Sequence, residues 1–69
     1  MTKKEIEAQL KTITDGAVFI SPKDIAKAMG TSRPEKIRFI YATLPKVENT
    51  SKYFIPDVAE SIFNHIEYR

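Results

Sequence analysis

The stretch Ser21 to Leu44, SPKDIAKAMGTSRPEKIRFIYATL, restricts the possible folds more than any other part of the chain. Its spacing predicts two short helices joined by a tight glycine turn. Pro22 suits the first positions of a helix, where its missing N–H costs nothing. Ser21 stands where it can cap, and Asp24 places a negative charge in the first turn. Ile25, Ala26 and Met29 share one face. Gly30 is expected to end this helix in a left-handed conformation. Ser32 is expected to start the second helix, with Glu35 three residues on completing a capping box. Ile37, Ile40, Tyr41 and Leu44 form that helix's own apolar stripe. The first helix is too short to stand alone, so both stripes must be buried against each other and a third element.

The rest of the chain supplies that element. Residues 3–13 predict a helix capped by Thr2, with Glu5 and Glu7 in its first two turns and Ile6, Leu10 and Ile13 on one face. Its role is structural, or it is a dimerising helix. Thr14-Asp15-Gly16 breaks the pattern with a strong turn signal. Ala17-Val18-Phe19-Ile20 favours a strand, and its backbone then needs a partner. Lys46-Val47-Glu48 and Tyr53-Phe54-Ile55, around the polar turn Asn49 to Lys52, read as a β-hairpin bracketed by Pro45 and Pro56. Pairing of 53–55 with 17–20 would complete a three-stranded antiparallel sheet. Residues 57–68 predict a last helix, capped by Asp57 with Glu60 in the capping-box position. Val58, Ala59, Ile62, Phe63 and Ile66 give it a wide apolar face.

The 69 residues make one domain, 1–69, without repeats or linkers. A chain this short buries only about 60% of its unfolded surface. Without cysteine it has no disulfide and no thiolate metal site, and its single histidine has no cluster of carboxylates near it in sequence. No cofactor, metal or small-molecule ligand is expected. The longest apolar run, 17–20, is far too short to cross a bilayer, and residues 1–10 lack the apolar core of a signal peptide. A cytoplasmic protein that does not engage a membrane is the expectation. Net charge is only +2, but it is unevenly placed. Residues 21–55 carry seven basic against three acidic side chains, a net +4, while the remainder carries −2. Positive charge concentrated on the paired helices and the hairpin suits a nucleic-acid partner; a solvated mixed-charge surface is the plainer reading.

The paired helices resemble the helix-turn-helix of DNA-binding proteins, with Ala26 and Gly30 at the family's four-residue spacing. Six residues after the glycine, where the family usually buries Val or Ile, stands Lys36, and Ile37 follows. Either the turn is one residue longer or the second helix is rotated. The order helix, strand, helix, turn, helix, hairpin, helix is similar to the winged helix-turn-helix domain. It resembles most the small excisionase and MerR-type domains, through Ile25-Ala26, Gly30, Leu44-Pro45, Tyr53-Phe54-Ile55-Pro56 and 58–63. The fold class this resemblance implies is α+β, a small winged helix-turn-helix with three to four helices and a short three-stranded sheet. It also implies a sequence-specific double-stranded-DNA-binding protein, a transcriptional regulator or an excisionase-like architectural factor of a phage or mobile element. Neighbouring copies or a larger DNA-bound protein are expected as further partners, because a single recognition helix with one good base reader binds weakly by itself. The wing of that family is usually rich in Gly and Arg; here it carries Asn49, Thr50, Ser51 and Lys52. A winged-helix protein–protein adaptor is the alternative.

Helix 33–43 is the expected recognition element. With its stripe inward, Glu35, Arg38, Phe39 and Ala42 face outward, flanked by Arg33, Lys36 and Thr43. The fork of Arg38 matches guanine O6 and N7 in the major groove. Phe39 either lies on a thymine methyl or packs against the wing. Thr31, Ser32 and Arg33, with Lys36, are placed to grip phosphates, and Lys52 is the one cation of the wing turn. Arg38 and Lys36 as solvated charges, and Glu35 as a cap or a partner of cytosine N4, remain the competing readings. Tyr41, Tyr53 and Phe54 as a stacking platform for single strands is a lesser one, because alternation puts Phe54 on the opposite sheet face from Tyr53. Catalysis has little support and is a distant third reading: no nucleophile motif or phosphate-binding glycine loop is present, and His65 reads as an ordinary surface residue.

Overall fold

The structure is a computed structural model, which describes residues 2–66. It is a small α+β domain of four α-helices, one 3-10 turn and a two-stranded antiparallel sheet among those residues. Helix α1 (Lys3–Ile13) begins with a reciprocal capping box: the Glu5 amide donates to Thr2 Oγ1 at 3.2 Å, and the Thr2 amide to Glu5 Oε1 at 3.0 Å. Two orphan donors of the first turn are thereby satisfied. The helix ends on Asp15 and Gly16, both left-handed at φ 60° and 86°, which lets the Gly16 amide reach back to the Lys11 carbonyl at 2.7 Å. Ile6 and Leu10 are buried and pack with α4 (Ile55–Asn64), whose Val58, Ala59 and Ile62 are buried in turn.

Strands β1 (Phe19–Ile20) and β2 (Tyr53–Phe54) pair in the register Phe19 to Phe54 and Ile20 to Tyr53. The expected partnership of the two segments is therefore present, but the sheet has two strands rather than three. On the hairpin side only a single bridge, Lys46 to Tyr53, extends it. The turn chemistry explains the shortfall. Thr50 donates to the Val47 carbonyl from both its hydroxyl (2.9 Å) and its amide (3.1 Å), and the Lys52 amide donates to Thr50 Oγ1 (3.2 Å). Local polar side chains thus take backbone groups that a longer ladder would need. Pro56 sets the other limit. Rather than ending an extended segment at Ile55, it sits in the first turn of α4, which already begins at Ile55. Asp57 therefore lies inside that first turn instead of capping it, and Phe54 occupies the cap position without a side-chain hydrogen bond. The helix ends with His65 at its C-cap; the part of the expected helix at 67–68 lies outside the described residues.

Helix α2 (Pro22–Ala28) is capped by Ser21, and Gly30 at φ 83° closes it as expected. The Gly30 amide bonds Lys27 O at 3.1 Å and the Thr31 amide bonds Ala26 O at 2.9 Å, the paired bonds of a Schellman motif. Ile25 and Ala26 are buried; Met29, expected beside them, is 40% exposed, because it is the C-cap residue and no longer follows the helical face.

The second helix of the pair departs most from expectation. Ser32 and Glu35 form no capping box. Arg33 is the cap residue, without a side-chain bond, and a 3-10 turn (Pro34–Ile37) precedes the short α3 (Arg38–Tyr41). Pro34 accounts for this. It holds Arg33 extended at φ −114°, ψ 99°, and starts helical geometry one residue later than a cap at Ser32 would. Ile37 at the end of the 3-10 turn and Ile40 in α3 are both buried, while Lys36 stays exposed. The expected continuous helix 33–43 is thus two short pieces ending at Tyr41. Ile20, Ile25, Ile40, Ile55 and Val58, all at 0% exposure, join the two halves into one core.

Candidate nucleic-acid interface

The outward face of the 3-10 turn and α3 is fixed from behind. Ile37 and Ile40 anchor it, the Tyr41 hydroxyl donates to the Pro34 carbonyl at 3.3 Å, and Ser61 Oγ of α4 donates to the Ile40 carbonyl at 2.6 Å. The Tyr41 ring lies 5.3 Å from that of Tyr53; Tyr53 is buried, which withdraws it from a stacking platform, while Tyr41 is half-buried. Held this way, the segment leaves Arg33, Glu35, Lys36, Arg38, Phe39, Ala42 and Thr43 exposed. Arg33, Lys36 and Arg38 enter no ion pair among the described residues. Their charge is open to an external anion.

Thr31 and Ser32 sit in the connection that leads into this segment. Thr31 Oγ1 accepts the Arg33 amide at 3.2 Å, which shapes the backbone ahead of Pro34. Both residues, with Gly30, line an open depression of about 550 Å³ whose other wall is Lys23, Asp24 and Lys27 of α2. Lys23 and Lys27 are one helical turn apart and exposed, on the side of α2 away from Ile25 and Ala26. They are the cations that sequence reasoning left out of the site. The signal was present, as an i, i+4 lysine pair opposite the apolar face of a helix that leads into the turn. Asp24 takes the Ser21 hydroxyl at 3.3 Å and so belongs to the cap.

No protein-family model, no curated protein and no solved structure matches this chain. The site is therefore read from its own geometry.

That geometry separates the expected contact residues into three places. Thr31 and Ser32 adjoin the lysines of α2, and Arg33, Lys36 and Arg38 follow, exposed, along the cap, the 3-10 turn and α3. Phe39 and Thr43 belong to the other end. The Phe39 ring meets the edge of the His65 ring at 5.1 Å, and His65 Nδ1 is held by the Ser61 carbonyl at 2.7 Å. Phe39 thus packs on the C-cap of α4, yet keeps 54% of its surface exposed. Thr43 lines a cleft with Asp57, Glu60, Ser61, Asn64 and His65, where two carboxylates oppose a phosphate. Lys52 stands alone on the hairpin turn, exposed, its backbone tied to Val47 and Thr50. Among the described residues no three His, Cys, Asp or Glu side chains converge to hold a metal, and no helix is long and apolar enough to cross a membrane.

Proposed function

We propose that this chain is a small sequence-specific double-stranded-DNA-binding protein of winged-helix type. In this reading α2 and the segment 34–41 form the helix-turn-helix, and the hairpin 46–54 is a reduced wing. The observation that carries it is the set of exposed cations Arg33, Lys36 and Arg38, in no ion pair among the described residues, on a segment buttressed by Ile37 and Ile40 that follows a depression lined by Lys23, Lys27, Thr31 and Ser32. Phosphate contacts position a protein on the duplex and base contacts specify the site. Lys23, Lys27, Thr31, Ser32, Arg33 and Lys36 are assigned the first task. Arg38 is assigned the second, as the reader of guanine in the major groove. Phe39, Thr43 and Lys52 contribute at the margins, since acidic groups flank Thr43 and the hairpin offers few cations. In this reading the protein acts by occupying or bending its site or by recruiting a larger protein, as a regulator or an excisionase-like factor.

A protein–protein adaptor is the second reading. The half-exposed Phe39 and the weak wing favour it. Titration of a duplex selected from a random library at several salt concentrations separates the two. A DNA binder loses affinity steeply as salt rises, because counterions released from the phosphates must be returned. An adaptor shows no salt-dependent duplex binding.

A further inference from the structure

The hydrogen-bond pattern of the small sheet leaves one edge open. The Ile55 amide donates to the Val18 carbonyl at 3.0 Å, one position beyond the Phe19 to Phe54 pair. In an antiparallel ladder, hydrogen-bonded and non-hydrogen-bonded pairs alternate. Phe19 to Phe54 is therefore the non-hydrogen-bonded kind, and Phe19 turns its own N–H and C=O away from β2. Among the described residues nothing meets either group: the sheet order is β1-β2, and no hydrogen bond reaches the Phe19 backbone. Such close pairs bring side chains together, and the rings of Phe19 and Phe54 lie 5.7 Å apart at 47°. Both rings face outward, 42% and 41% exposed, and Val18, which precedes Phe19 in the chain, is 52% exposed.

Edge strands are normally blunted by charge, proline or a covering element. From Ala17 to Ser21 this edge carries no charge and no proline. Ser21 keeps the extended backbone, at φ −87° and ψ 159°, up to the start of α2.

We infer that the free edge of β1 is the site where a second copy of this chain docks, strand to strand, about a two-fold axis at Phe19. The register is self-complementary. With both Phe19 backbone groups on the same edge, Phe19 placed opposite its own copy exchanges two hydrogen bonds, and Ala17 falls opposite Ser21 on either side. The two-stranded sheets join into a four-stranded one. On its outer face Phe54, Phe19 and their two copies form one row, which covers the exposed aromatic pair. An acidic or basic partner finds no complementary charge along 17–21, whereas an uncharged edge matches itself. The contact is short, well below the roughly 800 Å² per partner of stable complexes, so the dimer is weak and concentration-dependent. Its formation does not rest on DNA binding; its consequence does, since a two-fold dimer presents two recognition segments to two half-sites.

Sedimentation equilibrium of the full chain without DNA, from about 10 μM to about 1 mM, covers the range in which so small an interface associates. The average mass is expected to rise toward that of two chains. Amide exchange at Phe19 is expected to slow as concentration rises, while the amides of α1 stay unchanged. Val18→Lys, which charges the edge without touching the core, is expected to keep the mass at one chain and the Phe19 exchange fast at every concentration. If that variant fails to fold, the wild-type exchange at Phe19 decides alone. A single-chain mass throughout, or a dimer in which Phe19 exchange does not depend on concentration, overturns the inference. Duplex titration of Val18→Lys is read separately: unchanged DNA affinity per chain with lost dimer leaves the functional reading intact.

Discussion

Helices α1 and α4 run to 11 and 10 residues, while α2 and α3 run to 7 and 4. The long pair has a capping box on α1, a Lys3–Glu60 ion pair at 3.4 Å and a shared apolar seam of Ile6, Leu10, Val58, Ala59 and Ile62. The short pair has one capped helix, a proline-started 3-10 turn and an exposed side whose three cations enter no ion pair among the described residues. Most helical stability comes from packing of an apolar face rather than from propensity. The short pair consequently depends on the long one: Ile40 is buried against α4, and Ser61 of α4 holds its carbonyl. One half of the molecule supplies the rigidity, and the other carries the exposed cations to which the proposed function assigns DNA contact.

Core truncations test this division most strongly. Leu10→Ala in the long pair is expected to cost about 2–5 kcal/mol, and Ile40→Ala a similar amount, because both leave cavities in a fully packed core. In a domain this small either loss unfolds a large part of the population, measurable by urea titration. If Ile40→Ala were far milder than Leu10→Ala, the two halves would not share one core. Next in size is Arg38→Ala, expected to cost roughly 1–3 kcal/mol in affinity for a selected duplex and to relax the preference at one base pair. Its urea midpoint should stay at the wild-type value, since the side chain is exposed. A matching loss of stability would show that the exposed side of the short pair is structural after all.

The legible and the illegible parts of the sequence follow the same division. Long amphipathic segments carry many periodic residues, so α1 is found with its stripe and its Thr2 cap, and the apolar face of α4 is found although its start is not. The pairing of 17–20 with 53–55 is legible because an apolar strand must satisfy its backbone somewhere. Within the short pair, single residues decide the geometry. Pro34 overrides the Ser32 and Glu35 capping pattern, and Thr50 diverts the Val47 carbonyl from the third strand. Of the candidate site, the exposure of Arg33, Lys36 and Arg38 follows from the burial of Ile37 and Ile40. The closeness of Lys23 and Lys27 to Thr31, and of Phe39 to His65, depends on tertiary placement that spacing along one helix does not contain.

Smaller effects sharpen the contrast. Thr2→Ala removes one side of the capping box and is expected to cost about 0.5–2 kcal/mol of stability with no change in duplex affinity. Lys3→Ala removes an ion pair more than half exposed at both partners, together with a contact of its ammonium 5.7 Å from the Phe63 ring centre. Thermal unfolding is expected to register at most about 1 kcal/mol for it.

The central claim, that the exposed side of 33–38 together with α2 meets the DNA backbone, is tested most directly by the salt dependence of duplex affinity for the wild type beside Lys36→Ala and Lys27→Ala. The account predicts a steep linear fall of log affinity with log salt, and a slope shallower by about one phosphate contact in each variant, alike for selected and random duplexes. A wild-type affinity indifferent to salt, or variants whose slopes equal that of the wild type, would contradict it.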